Sequence, residues 1–348
     1  MDLIDFKTTF DGILATYIDE KLDECKALLA DGRLKKFVDH IDTFIFSGGK
    51  RIRPYCARAV YMWLWGKQEK AMLQFSMFFE IFHSFALVHD DIMDQADKRH
   101  NQPSVHNYVQ TFLGTDPNAI HTWASQAILI GDLLCAWAYG LLNKEYPFPE
   151  EFLKKAKINI QEMIEEVIVG QMIDIDLSVS APAALEIIDK KNMYKTASYT
   201  FIRPMLTGAI LAGADEATQK QVAELGKNLG LAFQIRDDLF DLIGRDKTKS
   251  MFADIQEWQQ TYFTHYVFSK GSDEEKSLLK ECLWKKLTKE QVTQLKTMFE
   301  TSGAINRWRE AIAGYIANAK KIFDEIEIFD AGVRQGFDVL IRKLERTA

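Results

Sequence analysis

Apolar residues recur at helical spacing along most of the 348-residue chain, whereas the alternation typical of strands is rare. Breaks rich in glycine, proline and asparagine separate these segments. The pattern predicts an all-α fold with the following helices: Asp5–Leu29, Leu34–Ser47, Arg53–Leu64, Lys70–Asp94, Ala119–Asn143, Glu150–Ile173, Ala183–Asn192, Lys195–Ala212, Asp215–Leu242 and several after Phe252. Because no Pro-, Ser- or Gly-rich linker divides the chain, residues 1–348 are predicted to form a single domain.

One predicted helix has the length and apolar content of a membrane span. Trp123–Leu142 is about as long as the 20 residues that cross a bilayer. It contains a central charge, Asp132, and no second span accompanies it. A helix that is apolar nearly all round is also typical of the centre of a large helical domain. We therefore predict a core helix and no membrane span.

Two copies of one acidic signature, Asp-Asp-x-x-Asp, interrupt the apolar pattern at Asp90, Asp91 and Asp94 and again at Asp237, Asp238 and Asp241. On a helix, positions i and i+4 share a face and i+1 lies close by, so each copy crowds three carboxylates into about one turn. A single acidic triplet is most often a solvated helix face. These two stand in segments that otherwise look buried, where charges need partners. Carboxylates without neighbouring cysteine favour Mg²⁺, which also binds the phosphates of a substrate.

A basic loop is the second chemical feature. Residues 48–54 read Gly-Gly-Lys-Arg-Ile-Arg-Pro, with three cations within four residues. Arginine offers a bidentate fork to phosphate oxygens and lysine a point charge, so the loop is a candidate phosphate site. Taken alone, such a segment is commonly just a loop and a solvated helix start, with Pro54 in the first turn.

Composition narrows the possible partners and compartment. The net charge of −7 and the absence of a basic tract argue against a nucleic-acid partner. Four scattered cysteines, Cys25, Cys56, Cys135 and Cys282, show no metal-ligand or disulfide spacing and fit buried thiols in a reducing cytosol. The acidic N-terminus lacks the order of a signal peptide. We expect a cytoplasmic protein.

Together these motifs resemble the trans-isoprenyl diphosphate synthases, the polyprenyl synthetase family, and in particular the short-chain geranylgeranyl and farnesyl diphosphate synthases. The resemblance covers about residues 40–260 and consists of five ordered motifs: the basic loop, His89–Asp94 with Arg99 downstream, Gly170-Gln171, Lys195-Thr196 and Phe233–Asp241. It implies a helical bundle around a central deep cavity, with the two aspartate motifs facing each other across its mouth. It also implies a homodimer.

The resemblance implies a reaction in which an allylic diphosphate loses its diphosphate and isopentenyl diphosphate attacks the resulting carbocation, to give a short-chain all-trans prenyl diphosphate. Mg²⁺, three ions per active site with Mn²⁺ as a substitute, would be held by Asp90, Asp94 and Asp237. The implied catalytic residues are Asp90, Asp91, Asp94, Arg99, Lys195, Asp237, Asp238 and Asp241. Those implied to bind the allylic diphosphate are Arg99, Lys195, Thr196, Gln234 and Lys249. Those implied for isopentenyl diphosphate are Gly49, Lys50, Arg53, His83 and, at a usually basic position, His100.

Product length would depend on the residues that precede Asp90. The resemblance places the cavity floor at Phe85, five residues before Asp90, with Ala86 four before, a pattern more similar to geranylgeranyl (C20) than to farnesyl (C15) synthases. An ideal helical wheel instead puts Ala86 and Phe82 beneath Asp90 and Phe85 about 140° away. Both arrangements stay open, with C20 preferred.

Two departures from the family pattern leave alternative functions open. His100 stands where a second arginine is usual, and Gln259 stands at a usually basic position beside Trp258. One alternative is a terpene synthase-like enzyme that ionises a prenyl diphosphate without isopentenyl diphosphate; the retained Lys50, Arg53 and His83 argue against it. Another is a non-catalytic regulatory subunit of a prenyl synthase. Six intact aspartates argue against that, since a scaffold has no reason to tolerate their repulsion.

Overall fold

The computed structural model describes residues 3–114, 117–244, 251–326 and 331–345, which lie mainly in helices and the turns between them. The predicted all-α fold class is confirmed. The chain divides into two compact units, residues 1–149 and residues 150–348. The single domain predicted over residues 1–348 stays a prediction.

The N-terminal unit is built around one apolar helix. Its elements are α1 (Leu3–Leu28), α2 (Gly32–Phe46), α3 (Ile52–Trp63), α4 (Glu69–Met93), the short strands β1 (Lys98–Arg99) and β2 (Gln102–Pro103), α5 (Val105–Leu113) and α6 (Pro117–Leu142). α4 contacts α1, α2, α3, α5 and α6. Its side chains Phe75, Phe78, Phe79 and Phe82 are fully buried, and burial of aromatic side chains is a large stabilising contribution. This core helix carries the first acidic motif at its C-terminal end.

The sequence pattern missed two elements of this unit, α5 and the β1–β2 hairpin. α5 is short and contains β-branched and aromatic residues, so its intrinsic helix propensity is low. It buries Val105, His106 and Val109 and packs against α2 and α6. Its stability therefore comes from tertiary contacts that no local pattern shows.

α4 and α6 are both long and apolar enough to cross a membrane by length and composition, and 72% and 44% of their apolar windows are buried. One face of α6 packs against α4, where Ala127, Leu134 and Ala138 are fully buried. The opposite face exposes Ile128, Leu129 and Tyr139. The predicted core helix is thus buried on one face only, and the absence of a membrane span stays a prediction.

The C-terminal unit is centred on the helix that bears the second acidic motif. Its elements are α7 (Glu150–Leu177), α8 (Leu185–Asn192), a π-helical segment (Met193–Ile202), α9 (Arg203–Leu211), α10 (Glu216–Leu242), α11 (Ala253–Gln256), α12 (Tyr262–Lys270), α13 (Asp273–Cys282), α14 (Lys289–Thr301), α15 (Ala304–Glu325) and α16 (Ala331–Glu345). α10 contacts α9, α12, α15, α16 and the π-helical segment. The second motif therefore lies on a helix that is held by its neighbours along its length.

The predicted break between Asn192 and Lys195 is wrong, because the π-helical segment joins α8 to α9 without interruption. Two glycines allow their helices to approach this segment closely. A Cβ atom on Gly170 of α7 would lie 2.5 Å from the Lys195 nitrogen, and one on Gly230 of α10 would lie 2.5 Å from Ala197 Cα. π-Helical turns are frequent at functional sites, and this one carries Lys195 and Thr196.

Candidate active site

The first acidic motif ends α4 and meets an arginine from the hairpin. Asp90 and Asp91 lie in the last turn, and Asp94 is the C-cap residue. Arg99 donates from Nε to Asp91 Oδ1 at 2.9 Å and lies 3.5 Å from Asp90 Oδ2. Burial acts to lower the pKa of Arg99, but the three carboxylates raise it overall. The structure thus brings these four predicted catalytic residues together.

The carboxylates of this motif differ in their exposure to solvent. Asp91 is fully buried, Asp90 is half-buried and Asp94 is exposed. Burial raises the pKa of Asp91 to about 6, although the charge of Arg99 opposes the shift. The C-terminal end of a helix also disfavours anions. Arg99 is therefore shared by three carboxylates, and the two more open ones, Asp90 and Asp94, are predicted metal ligands.

A tight hairpin positions Arg99. His100 and Asn101 occupy its turn with φ of 50° and 64°, and Arg99 pairs with Gln102. Histidine and asparagine are among the residues that tolerate this left-handed region. The adjacent strand is held by His40, whose Nε2 lies 3.1 Å from the carbonyl oxygen of Pro103. The sequence therefore fixes Arg99 through backbone geometry as well as through its carboxylate partners.

Arg51, one of the three cations of the basic loop, is used inside the protein. It is 2% exposed and has a left-handed φ of 53° at the start of α3. Its Nε and Nη1 atoms donate to Asp11 Oδ1 and Glu80 Oε1, each at 2.6 Å, and Nη2 donates to the Ile45 carbonyl at 2.9 Å. The grouping of all three cations as phosphate ligands is therefore wrong for Arg51, which instead ties the loop to α1, α2 and α4.

The residues predicted for isopentenyl diphosphate lie in a positively charged environment. Burial lowers the pKa of His83 well below its usual value, and so do the charges of Arg53, Arg99, Arg51 and His100. The charge of Lys50, an exposed residue, also contributes to lowering the pKa of His100. Gly49 has φ of 85°, which favours glycine, and a Cβ atom on Gly48 would lie 2.4 Å from His100 Cγ. These neighbours suit an anion such as a diphosphate.

The second acidic motif lies near the C-terminal end of α10, and its carboxylates also differ in their exposure to solvent. Asp237 is exposed and accepts a bond of 2.9 Å from Arg236 Nη2, whereas Asp238 and Asp241 are buried. The two oxygens of Asp241 accept from the backbone nitrogens of Ala253 at 2.9 Å and Asp254 at 3.3 Å. Asp241 therefore caps α11, and its predicted catalytic role stays a prediction.

Asp238 has a neutral partner in place of an arginine. Gln234 Nε2 donates to Asp238 Oδ1 at 2.6 Å. Burial, followed by the charge of Asp254, raises the pKa of Asp238 to about 7, while Lys191 acts in the opposite direction. Gln234, predicted to bind the allylic diphosphate, therefore holds the central carboxylate of the motif in this structure.

Lys195 contacts a buried carboxylate that the sequence analysis missed. Its Nζ lies 2.5 Å from Asp174 Oδ2, and a second missed residue, Lys191, lies 3.1 Å from Asp174 Oδ1. Burial acts to raise the pKa of Asp174, but the two lysines hold it below its usual value. Helical spacing could have found both, because Asp174 follows Gly170 by four residues and Lys191 precedes Lys195 by four. Thr196 is half-buried beside them.

The predicted chain-length residues lie on α4 before the first motif. Phe82 is fully buried, and its ring centroid is 5.6 Å from that of Phe78 and 5.2 Å from that of Phe85. Phe85 and Ala86 are half-buried, and the Phe85 ring lies 4.7 Å from the His89 ring. Their influence on product length stays a prediction.

The donor set of each motif fits magnesium. Among the described residues, the buried Oδ2 atoms of Asp91 and Asp238 accept no hydrogen bond, which is where a cation or its bound water is expected. That part of the chain contains no group of three His, Cys, Asp or Glu side chains already arranged to hold a metal. Mg²⁺ is commonly held by one or two carboxylates with waters and substrate phosphates, so a closed protein cage is not required. Lys249, a predicted diphosphate ligand, lies outside the described residues.

Comparison with known proteins places this site in a family. The sequence model of the polyprenyl synthetase family matches residues 34–301. The chain is 31% identical to a short chain isoprenyl diphosphate synthase of Methanocaldococcus jannaschii, over 75% of this chain and 77% of that protein. It is 29% identical to a geranylgeranyl diphosphate synthase of Sulfolobus acidocaldarius, over 80% of each chain. The crystal structure of geranylgeranyl pyrophosphate synthase from Corynebacterium glutamicum, complexed with isoprenyl diphosphate and magnesium, matches with a TM-score of 0.89 and 27% identity over 100% of both chains. This chain therefore belongs to the polyprenyl synthetase family.

Proposed function

We propose that this protein condenses isopentenyl diphosphate with allylic diphosphates to make geranylgeranyl diphosphate (C20), with farnesyl diphosphate (C15) as the second candidate product. Family membership makes the chain a trans-prenyltransferase. The observation that carries the proposal is the meeting of the first aspartate motif with Arg99 beside the positively charged basic loop. Carboxylates for a metal and cations for a diphosphate are what this reaction requires.

In this proposal Asp90, Asp94 and Asp237 hold Mg²⁺, three ions per active site, with Mn²⁺ able to substitute. When bound, Mg²⁺ acts as a Lewis acid on the diphosphate that leaves the allylic substrate. Arg99 and Lys195 donate to the oxygens of that diphosphate and stabilise the charge that develops on it. Lys50, Arg53 and the neutral imidazole of His83 bind isopentenyl diphosphate, whose double bond attacks the allylic cation before a proton is lost.

We also propose a homodimer without a membrane span. The exposed face of α6 presents Ile128, Leu129 and Tyr139 to solvent in the single chain. α7 separately exposes Ile168, Met172 and other apolar side chains. Exposed apolar patches mark protein interfaces or membrane contacts. Sedimentation of wild type and Leu129→Glu tests the proposal, which fails if the wild type is a monomer at micromolar concentration.

A cytoplasmic location is the remaining proposal. All four cysteines are free, although only Cys56 and Cys282 are buried and Cys25 and Cys135 are half-buried. Free thiols suit a reducing compartment. Fractionation with an antibody to the protein tests this location, and recovery with the membrane pellet would contradict it.

One assay separates the proposed function from its two alternatives. Purified protein is incubated with Mg²⁺, labelled isopentenyl diphosphate and, in turn, dimethylallyl, geranyl or farnesyl diphosphate. Incorporation of label into a longer diphosphate supports the proposal. Metal-dependent loss of the allylic substrate alone supports a terpene synthase-like enzyme, and no reaction with any primer supports a regulatory subunit.

A further inference from the structure

Two lysines share one buried carboxylate in the C-terminal unit. Asp174 is 5% exposed and Lys191 is 6% exposed. Lys191 Nζ lies 3.1 Å from Asp174 Oδ1, and Lys195 Nζ lies 2.5 Å from Asp174 Oδ2. The side chain of Lys195 is 28% exposed and that of Lys191 is 8% exposed. Lys195 is therefore the member that can reach a ligand, whereas Lys191 is enclosed.

Two ammonium groups share one carboxylate in this cluster, and a buried charge is costly unless other charges balance it. The second aspartate motif is one source of balancing charge, because the charge of Lys191 acts to lower the pKa of Asp238. A substrate diphosphate is another. A cluster with two ammonium groups therefore suits a site that binds an anion such as a diphosphate.

Lys191 is also held by the segment that precedes α12. Its Nζ donates to the carbonyl oxygen of Gln260 at 2.8 Å. Gln260 is held in turn, since its Oε1 accepts from the Ala183 nitrogen at 2.7 Å and its Nε2 donates to the Leu177 carbonyl at 2.8 Å. A fixed backbone carbonyl thus holds the ammonium group of Lys191 beside Asp174.

We propose that Lys191 is a positioning residue that remains bound to Asp174 when Lys195 turns to the substrate diphosphate. The inference rests on the proposed function, in which Lys195 binds that diphosphate. Without Lys191, release of Lys195 would leave Asp174 buried and unpaired. Lys195 would then stay on Asp174 and bind the diphosphate poorly.

The test compares Lys191→Met with Lys190→Met. Lys190 is an exposed neighbour on α8. Calorimetry with inorganic pyrophosphate and Mg²⁺ gives a Kd that does not depend on turnover. Because loss of a residue that orients a ligand group typically costs about 10- to 100-fold, we expect Lys191→Met to weaken binding by that factor. Lys190→Met should bind like wild type. In steady-state assays, the KM for the allylic diphosphate should rise more than that for isopentenyl diphosphate.

A second variant separates positioning from a purely structural role. Adding Asp174→Asn to Lys191→Met releases Lys195, so the pair should recover about tenfold of the lost affinity, as expected for coupled residues. If Lys191→Met does not fold, Lys191→Gln, which keeps a donor for the Gln260 carbonyl, carries the same expectation. Wild-type affinity in the folded Lys191 variant, or no recovery in the double variant, overturns the inference. A wild type that incorporates no isopentenyl diphosphate overturns the proposed function instead, and the pyrophosphate measurements still decide the role of Lys191.

Discussion

The two aspartate motifs share one spacing but balance their charge differently. In the N-terminal unit, Arg99 contacts the buried Asp91. In the C-terminal unit, the buried Asp238 accepts a hydrogen bond from the neutral amide of Gln234, and the charge of Lys191 acts to lower its pKa. The pKa of Asp91 rises to about 6 and that of Asp238 to about 7, both chiefly through burial. The same signature therefore has a stronger cationic partner in the first motif.

The two units also differ in the type of cation that pairs with their buried carboxylates, arginine in the N-terminal unit and lysine in the C-terminal unit. Arg51 and Arg99 have planar, permanently charged groups that make several hydrogen bonds in one geometry. Lys191 and Lys195 are point charges on flexible stems, and both contact Asp174. The first motif is thus held by the fixed group of Arg99, whereas in the C-terminal unit Lys195 is proposed to exchange Asp174 for an anion while Lys191 stays.

The largest expected effect is the loss of the fixed arginine network. Arg51→Met leaves Asp11 and Glu80 without their shared cation, and breaking a buried ion pair costs about 4 kcal/mol of unfolding free energy. Lys7→Met is the matched control, because Lys7 also pairs with Asp11 but its side chain is 38% exposed, and its expected cost is below about 1 kcal/mol. Urea unfolding followed by circular dichroism measures both. Equal effects would show that the buried arginine is no more important than the surface pair.

Asp174→Asn tests the lysine cluster of the C-terminal unit. It should lower the free energy of unfolding by about 3 kcal/mol, because it leaves Lys191 buried without its carboxylate. The exposed Asp176→Asn should change stability by less than about 0.5 kcal/mol. The pKa of Asp174 is lower in the folded protein than its usual value of about 4. The stability that its ion pairs contribute is therefore complete above about pH 4 and is lost as the pH falls through the folded pKa. Urea unfolding of the two variants at several pH values should therefore show the Asp174 effect shrink below about pH 4. A cost that stays constant on acidification would contradict the assignment.

Gln234→Leu removes the neutral partner of Asp238. A hydrogen bond to a charged group contributes about 2 kcal/mol, so the variant should lose about that much unfolding free energy well above pH 7, where Asp238 is charged. Gln161→Leu is a control with the same spacing, since Gln161 donates to Glu165 at 3.0 Å on an exposed surface. Its expected cost is about 0.5 kcal/mol or less. Similar losses in both variants would mean that Asp238 does not depend on Gln234.

The smallest expected effect on stability, about 1 kcal/mol, is that of Phe85→Ala, because Phe85 is only half-buried. Its consequence should instead be a longer product, seen by chromatography of the dephosphorylated prenyl alcohols. Phe233→Ala, four residues before the second motif, is the matched control and should leave chain length unchanged. An unchanged product distribution in Phe85→Ala removes Phe85 as the cavity floor and favours Ala86 and Phe82.

Periodicity and motif spacing predicted most helices and the residues of both acidic motifs, because these depend on local sequence. The inward use of Arg51 was not predictable, since its partner Glu80 lies 29 residues away. The capping of α11 by Asp241 likewise joins residues 12 apart across a turn. Lys191 was missed because a lysine in a polar helix looks like a solvated residue until its burial is known, although its spacing of four from Lys195 was visible.

The most direct test of the account is a crystal structure with Mg²⁺ and a non-reactive thio analogue of dimethylallyl diphosphate. We predict ion density at Asp90 and Asp94 and at Asp237. We also predict that Lys195 contacts the analogue while Lys191 remains on Asp174. A structure that contains the bound analogue but no ion density at either motif would contradict the central claim that these carboxylates hold the metal.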